Sequence, residues 1–311
     1  MANSPFEVDV VIPVYNGAEF VGEAIESVLK QKESPYSIIV VNDCSTDQTM
    51  NVLEGFGTRI RVLQHEKNRG LPAARNTGIR AGNSGLIAFL DADDAWAEEK
   101  NQKQIQEFRD VPEIGLCYTD VADCDSKLNP IRSNRGFRRR KGETVFSELY
   151  LKAFPIPPST VMVRREVFHV CGLFNESMRE TEDFECWLRI AMKFPISCLP
   201  EALCRRRNNP HSITNTSRLD REVHYRLRAF DLCAEAAQRW KIPLPMELME
   251  RKRLYFYRRL RESIRWHESQ AEAFFRAQLV ESGGLSLLRK TDLRLLKIKE
   301  NIKARMKKWV L

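Results

Sequence analysis

Leu86-Ile87-Ala88-Phe89-Leu90 contains no polar side chain, and Asp91-Ala92-Asp93-Asp94 follows it directly. A strand apolar on both faces has to lie inside a sheet covered above and below, the environment of a parallel sheet flanked by helices. The preceding residues keep to that plan. Val8-Asp9-Val10-Val11-Ile12 is a β-branched run ending at Pro13, and Ser37-Ile38-Ile39-Val40-Val41 is a second. Between them Phe20, Val21, Ala24, Ile25, Val28 and Leu29 recur at helical spacing, with Asn16-Gly17-Ala18-Glu19 expected to cap the helix. Ser45-Thr46-Asp47-Gln48 reads as another capping box, opening a short helix through Leu53. Arg59 to Leu63 is expected as a third strand and Leu71 to Ala81 as a helix. This β-α-β-α order predicts an α/β fold with an open, doubly wound, mostly parallel sheet. Ligands of such sheets bind beyond the carboxyl ends of the strands. The polar residues there are Tyr15, Asn16, Asn42, Asp43, Asp91, Asp93 and Asp94.

After Asp94 the pattern becomes mixed. Lys100 to Phe108 predicts a helix, Gly115 to Thr119 a strand, and Arg132 to Lys141 a basic loop. Pro155-Ile156-Pro157-Pro158 is a stiff extended connection. Thr181 is expected to cap a helix through Ile190, with Phe184, Trp187, Leu188 and Ala191 on its buried side. From about Asp220 onward the chain reads as helices. Three regions are therefore expected: 1–95, carrying the first acidic motifs; 96–219, the second half of the same α/β domain; and 220–311, a helical C-terminal extension.

Charge separates the last region from the rest. The net charge of the 311 residues is +8, yet Arg251 to Leu311 alone holds 17 Lys and Arg against 6 Asp and Glu. A basic appendage on a slightly acidic body points to an anionic surface or polymer as partner. The eight cysteines show no C-x-x-C pair and no histidine at zinc spacing, which favours free thiols in a reducing compartment. Residues 1–9 lack the basic-then-apolar pattern of a secretory signal, and no apolar run approaches the roughly 18 residues of a membrane span. A cytoplasmic protein is expected.

Asp91-Ala92-Asp93-Asp94 suits a hard divalent cation such as Mg²⁺ or Mn²⁺, which binds through one or two carboxylates plus substrate phosphates. The plainer alternative is that Asp94 or Asp93 caps the next helix near Trp96. Glu182 and Asp183 have a similar alternative as first-turn charges of a helix. A series of motifs bears on that choice. Val11-Ile12-Pro13-Val14-Tyr15-Asn16, Val41-Asn42-Asp43-Cys44-Ser45-Thr46-Asp47, Asn68 through Asn76 and Phe89 through Asp94 resemble successive motifs of the family 2 inverting glycosyltransferases. Gly172-Leu173-Phe174-Asn175-Glu176 and Glu182 through Arg189 resemble those of its second half. The resemblance covers roughly residues 6–214, with six motifs in the family's order.

That resemblance implies a GT-A fold, with residues 1–95 as the nucleotide-sugar half and 96–219 as the acceptor and catalytic half. It implies transfer of a sugar from a nucleotide-diphosphate donor, with UDP favoured, to a glycan or lipid-linked acceptor hydroxyl. Pro13, Val14 and Tyr15 would wrap the nucleobase and Asp43 would hydrogen-bond it. Arg75 would lie near base and ribose, Asp91 at the ribose, Asp93 on the metal, and Asp183 would be the catalytic base, held ionised by its helix N-terminus. Arg205 through Thr214 resembles a loop that closes over the donor diphosphate, with Arg207 and His211 as contacts. Cys44 departs from the small residue usual there, as Cys171 does from a common glycine, which leaves nucleotide preference open.

Leu295, Ile298, Ile302, Met306 and Trp309 fall on one helical face among many lysines. Such a helix can lie on the anionic inner face of a membrane or pack on the protein itself. Other functions are weighed against transfer. A nucleotidyltransferase would carry a Gly-rich basic loop after strand one, where this chain has Pro13-Val14-Tyr15-Asn16-Gly17. A nucleic-acid partner is not expected, because no such motif is recognised and the net positive charge is concentrated at one end. An inactive sugar-nucleotide binder remains the main alternative.

Overall fold

The computed structural model describes residues 5–134, 145–209, 218–266 and 268–283. His211, most of the basic loop 132–141 and the apolar stripe 295–309 lie outside them. In chain order the elements are β1 (Val8–Val14), α1 (Val21–Leu29), β2 (Ser37–Asn42), α2 (Thr49–Glu54), β3 (Arg61–Gln64), α3 (Leu71–Ala81) and β4 (Leu86–Phe89). They continue with β5 (Ala95–Trp96), α4 (Lys100–Asp110), β6 (Leu116–Cys124), β7 (Pro130–Asn134), α5 (Val145–Lys152), β8 (Val161–Arg164), α6 (Arg165–Cys171), α7 (Glu182–Lys193) and β9 (Ile196–Arg207). Three more helices follow: α8 (Leu219–Trp240), α9 (Leu248–Arg265) and α10 (Ser269–Glu281).

One sheet runs in the order β3-β2-β1-β4-β8-β6-β9-β5, with β7 paired to β6. Its first four strands are parallel, as the β-α-β-α reading expects. Strand β8 then runs antiparallel to both β4 and β6, while β9 is parallel to β6. Every residue of β1 and β4 is buried, which accounts for their apolar sequences. The exception, Asp9, accepts hydrogen bonds from Ser37 Oγ, Ser84 N, Ser84 Oγ and Arg165 Nη2, so its charge is compensated. Register places the functional edge: Val14 lies opposite Asn42 and Val11 opposite Phe89. Tyr15, Asp43 and Asp91 therefore all leave the sheet on the same side.

The expected side-chain caps do not form. Asn16 has a φ of 51° and its Oδ1 accepts the Thr46 N–H at 2.8 Å, while α1 begins later, at Val21, without a side-chain cap. Asp47 accepts from Thr49 N and Ala18 N. These polar groups tie the loops after β1 and β2 to each other, a use that capping patterns cannot reveal. Thr181, at a φ of 57°, also makes no cap bond, and its Oγ1 is buried without a hydrogen-bond partner.

The chain divides into two compact units, residues 1–243 and 244–311. Helix α8, grouped by sequence with the basic extension, belongs to the first unit. Its Phe230 meets Phe184 of α7 edge-on at 5.7 Å and Tyr150 of α5 at 5.9 Å. In the second unit α9 and α10 pack through Tyr255 and Phe275. Among the described residues no helix is long and apolar enough to cross a membrane.

Candidate active site

The loop after β2 is built around Asp43, which is 3% exposed. Its Oδ1 accepts from the Arg69 N–H at 2.8 Å and lies 2.6 Å from His65 Nδ1, and Oδ2 accepts from the Gly70 N–H at 2.7 Å. His65 is fixed in turn by Thr77 Oγ1. A carboxylate offers about four lone-pair sites, so this bracing of the 65–70 loop leaves roughly one for a ligand. Gly70 suits the place, with a φ of 90° and only 2.7 Å from where a Cβ would sit to Arg179 Nη1. Cys44 adopts a φ of 64°, the left-handed region, where glycine would be free of the Cβ strain.

Helix α3 starts from that loop and carries Arg75, 1% exposed. Its Nη2 donates to Asp91 Oδ1 at 2.8 Å and its Nη1 to Glu182 Oε1 at 2.5 Å. The guanidinium also lies over the Phe174 ring, 5.5 Å from its centroid. Burial opposes its charge, but Asp91 and Glu182 outweigh that and raise its pKa. The neighbouring Asn76 bonds Phe174 O, Phe174 N and Glu176 Oε1. Arg75 thus fastens the end of β4 and the start of α7 to α3, and Asn76 fastens the segment 174–176 to the same helix. The expectation of Arg75 beside base and ribose sits beside this finding: its hydrogen bonds go to protein carboxylates.

In the acidic turn, Asp94 is buried and caps no helix. Its Oδ2 accepts from Ser159 Oγ at 2.6 Å and its Oδ1 from the Arg207 N–H at 3.0 Å. Burial, then Asp93 and Asp91, push its pKa well up. Asp91 and Asp93 are partly exposed. Asp93 Oδ2 accepts from Asn209 Nδ2 at 3.0 Å, and burial together with Asp91 raises its pKa. Oδ2 of Asp91 and Oδ1 of Asp93 have no side-chain partner among the described residues. No group of three His, Cys, Asp or Glu there could hold a metal. Two available carboxylate oxygens fit a hard cation whose other ligands come from a diphosphate and water.

Arg207 is engaged differently from the sequence expectation. It is 6% exposed, and it donates through Nε to Asp93 O, through Nη1 to Ser126 O and through Nη2 to Glu23. The guanidinium carbon also sits 4.4 Å from the centroid of Phe20. Arg207 therefore braces the acidic turn from behind. Of the remaining predicted contacts, Pro13 and Val14 are buried in β1 and Tyr15 is 51% exposed at its end. A Cβ on Gly17 would meet Val14 Cγ2 at 2.6 Å and Ala92 Cβ at 3.7 Å, so the first loop runs against the acidic turn.

At the start of α7, Glu182 is buried and Asp183 partly exposed. Burial pushes the Glu182 pKa up to about 7, despite Arg75 and with help from Asp183. Burial also raises Asp183, while Arg75, the Phe184 N–H and Arg226 oppose it. Desolvation thus outweighs the neighbouring groups that favour the ionised form of Asp183. A raised carboxylate accepts a proton more readily, which suits a general base. Sequence reasoning missed His65 and Ser159, which carry no periodic or motif signal; it saw Asn209 only as part of the loop 205–214, and Glu182 without its partner.

Residues 9–172 match the family described as glycosyl transferase family 2. Over 189 residues the chain is 36% identical to TuaG of Bacillus subtilis, named as a teichuronic acid biosynthesis glycosyltransferase, covering 60% of this chain and 72% of that protein. Matched relatives from Rickettsia prowazekii and Rickettsia felis are spanned over 66% and 32% of their own length. Among solved structures, a mannosyltransferase from Pyrobaculum calidifontis with GDP-Man and Mn²⁺ aligns with a TM-score of 0.62 at 19% identity, covering 99% of this chain and 85% of that one. S. aureus TarS with UDP-GlcNAc aligns at 0.59 and 19% identity, over 80% of this chain and 70% of that one. These structural likenesses show the fold, the GT-A-like α/β architecture expected from the motifs. The matched profile covers more than half of the 311 residues, and the chain belongs to glycosyl transferase family 2.

Proposed function

We propose that the protein is an inverting glycosyltransferase that moves a sugar from a nucleotide diphosphate, UDP favoured, to a hydroxyl of a glycan or lipid-linked acceptor. The observation that carries this is Arg75, which joins Asp91 at the end of β4 to Glu182 at the start of α7 and so makes one site of both acidic motifs. The names of the relatives support the reaction class, and two of the structurally similar proteins bind UDP-GlcNAc and GDP-Man. A place in surface polysaccharide assembly agrees with the relative named for teichuronic acid.

In this reading Pro13, Val14 and Tyr15 border the nucleobase, and Asp43 offers it the remaining acceptor site. Arg75 orients Asp91 toward the ribose. Asp93, with Asp91 beside it, would hold Mg²⁺ or Mn²⁺, which when bound neutralises charge on the diphosphate. Arg207 keeps the Asp93 carbonyl in place, and His211 is a further diphosphate contact. Asp183 takes the proton of the attacking hydroxyl as its oxygen bonds to the anomeric carbon. The opposite carbon–oxygen bond breaks, and its electrons leave on the diphosphate. Glu182, paired to Arg75, leaves Asp183 as the carboxylate of the pair free to act. The basic 295–309 segment would hold the enzyme at an anionic membrane.

Calorimetric titration of UDP, GDP, dTDP and CDP, with and without Mn²⁺, tests the donor site on wild type and Asp93→Ala. Selective, metal-dependent binding that the substitution abolishes is expected. Binding of none of them by folded protein would refute the proposal.

A further inference from the structure

Arg226 is an arginine beside the site that no motif singled out. It projects from α8, and its guanidinium carbon lies 4.3 Å from the centroid of Phe184, the residue after Asp183. Phe184 is itself held edge-on by Phe230, one turn further along α8. The platform under the guanidinium is therefore fixed by core packing. The charge of Arg226 reaches Asp183 and favours its ionised form. Yet Nη1 of Arg226 is buried with no hydrogen-bond partner. By contrast, Arg221 of the same helix pairs with Glu180.

A desolvated guanidinium N–H left unpaired costs stability, on the order of 1–3 kcal/mol, and calls for an acceptor from outside the chain, water or a ligand. The chemistry that matches it is an oxyanion, a phosphate or a carboxylate, which arginine binds in a planar, charge-assisted way. Position decides which substrate brings that anion. In a displacement with inversion, the hydroxyl and its base stand on the opposite side of the anomeric carbon from the leaving diphosphate. Arg226 adjoins the base, whereas the diphosphate end is served by Asp93. We propose that Arg226 is an acceptor-binding residue and that the acceptor carries a phosphate or carboxylate near its reacting hydroxyl. This rests on the reading of Asp183 as the base.

The test is ligand-observed NMR on the full chain with glycerol 3-phosphate and glucuronate against their neutral counterparts, glycerol and glucose. It is run with and without nucleotide and Mn²⁺, on wild type, Arg226→Gln and Arg226→Lys, with UDP and GDP affinities measured alongside. One anion is expected to bind wild type better than its neutral counterpart. Arg226→Gln should weaken it at least tenfold, Arg226→Lys should fall between, and nucleotide affinity should change less than twofold. An effect on glycerol 3-phosphate assigns a phosphorylated acceptor, and one on glucuronate a uronic acid. The proposal is overturned if neither anion is preferred, if Arg226→Gln binds it as wild type does, or if the loss falls on the nucleotides. Absence of nucleotide binding to wild type would instead count against the transferase reading, and the nucleotide-free arm would still decide the role of Arg226. Should Arg226→Gln fail to fold, the wild-type preference and Arg226→Lys decide it.

Discussion

Replacing Arg75 with methionine keeps much of its volume but removes the cation between Asp91 and Glu182. Breaking a buried ion pair from one side typically costs about 3–5 kcal/mol, because a charge is left without compensation. Asp91, with a side chain 29% exposed, can recover hydration; Glu182, at 7%, cannot. The estimate is therefore about 3 kcal/mol near pH 8, carried mostly by Glu182. The pH dependence has a definite sign. Burial already lifts the Glu182 pKa to about 7, above its ordinary value of 4.5, so the folded state holds the proton more tightly than the unfolded chain. Its contribution is fully present below pH 4.5 and is lost as pH rises through about 7. Without Arg75 that pKa rises further, and the variant suffers less at pH 5, where Glu182 is protonated. Urea unfolding followed by tryptophan fluorescence at pH 5 and pH 8 measures this, since Trp96 and Trp187 are buried in the first unit. Adding Glu182→Gln to Arg75→Met should restore part of the loss at pH 8, as expected for groups in direct contact. Equal losses at both pH values, or no recovery in the double variant, would refute the reasoning.

Asp183→Asn should keep nucleotide affinity within about twofold and lower transfer at least ~100-fold, the usual scale of general-base catalysis; near-normal turnover would remove the assignment. Because burial raises Asp183, wild-type transfer should fall as pH drops and the carboxylate protonates, a limb absent from the residual rate of the variant. Asp43→Asn sets an amide NH₂ either against the Gly70 N–H or against the Arg69 and His65 side of the loop, and should cost about 2 kcal/mol in denaturation while weakening nucleotide binding in calorimetry. Lys100 is fully buried with Nζ 3.8 Å from the Trp96 ring centroid, and burial lowers its pKa to about 7. A depressed lysine withholds stability below its folded pKa and restores it as pH rises toward the unfolded value. Lys100→Met should therefore stabilise the protein by about 1–2 kcal/mol at pH 6, with the gain shrinking by pH 9.5, as thermal melts would show.

Local chemistry made the framework legible. Buried strands such as Val8–Val14 and Leu86–Phe89 declare themselves because nearly every residue, Asp9 apart, is apolar, and α1 and α7 because their apolar residues repeat with the helical turn. The acidic residues at the strand ends were visible for the same reason, as polar breaks in apolar runs. What each polar side chain touches was decided elsewhere. Arg75 meets Glu182 across 107 positions, and Arg207 meets the Asp93 carbonyl across 114. No periodicity spans such distances, so an arginine read as a ligand contact can turn inward, and expected helix caps can serve as bolts between loops. Burial is likewise a property of the assembled structure: the desolvation that lifts Glu182 and Asp183 exists only once α3, α7 and the acidic turn close around them. The sequence alone determined which residues could do chemistry, because residue type and local pattern are written in it. Which of them face a substrate was left to tertiary packing, because hydrogen-bond partners and solvent exposure arise only when distant segments meet.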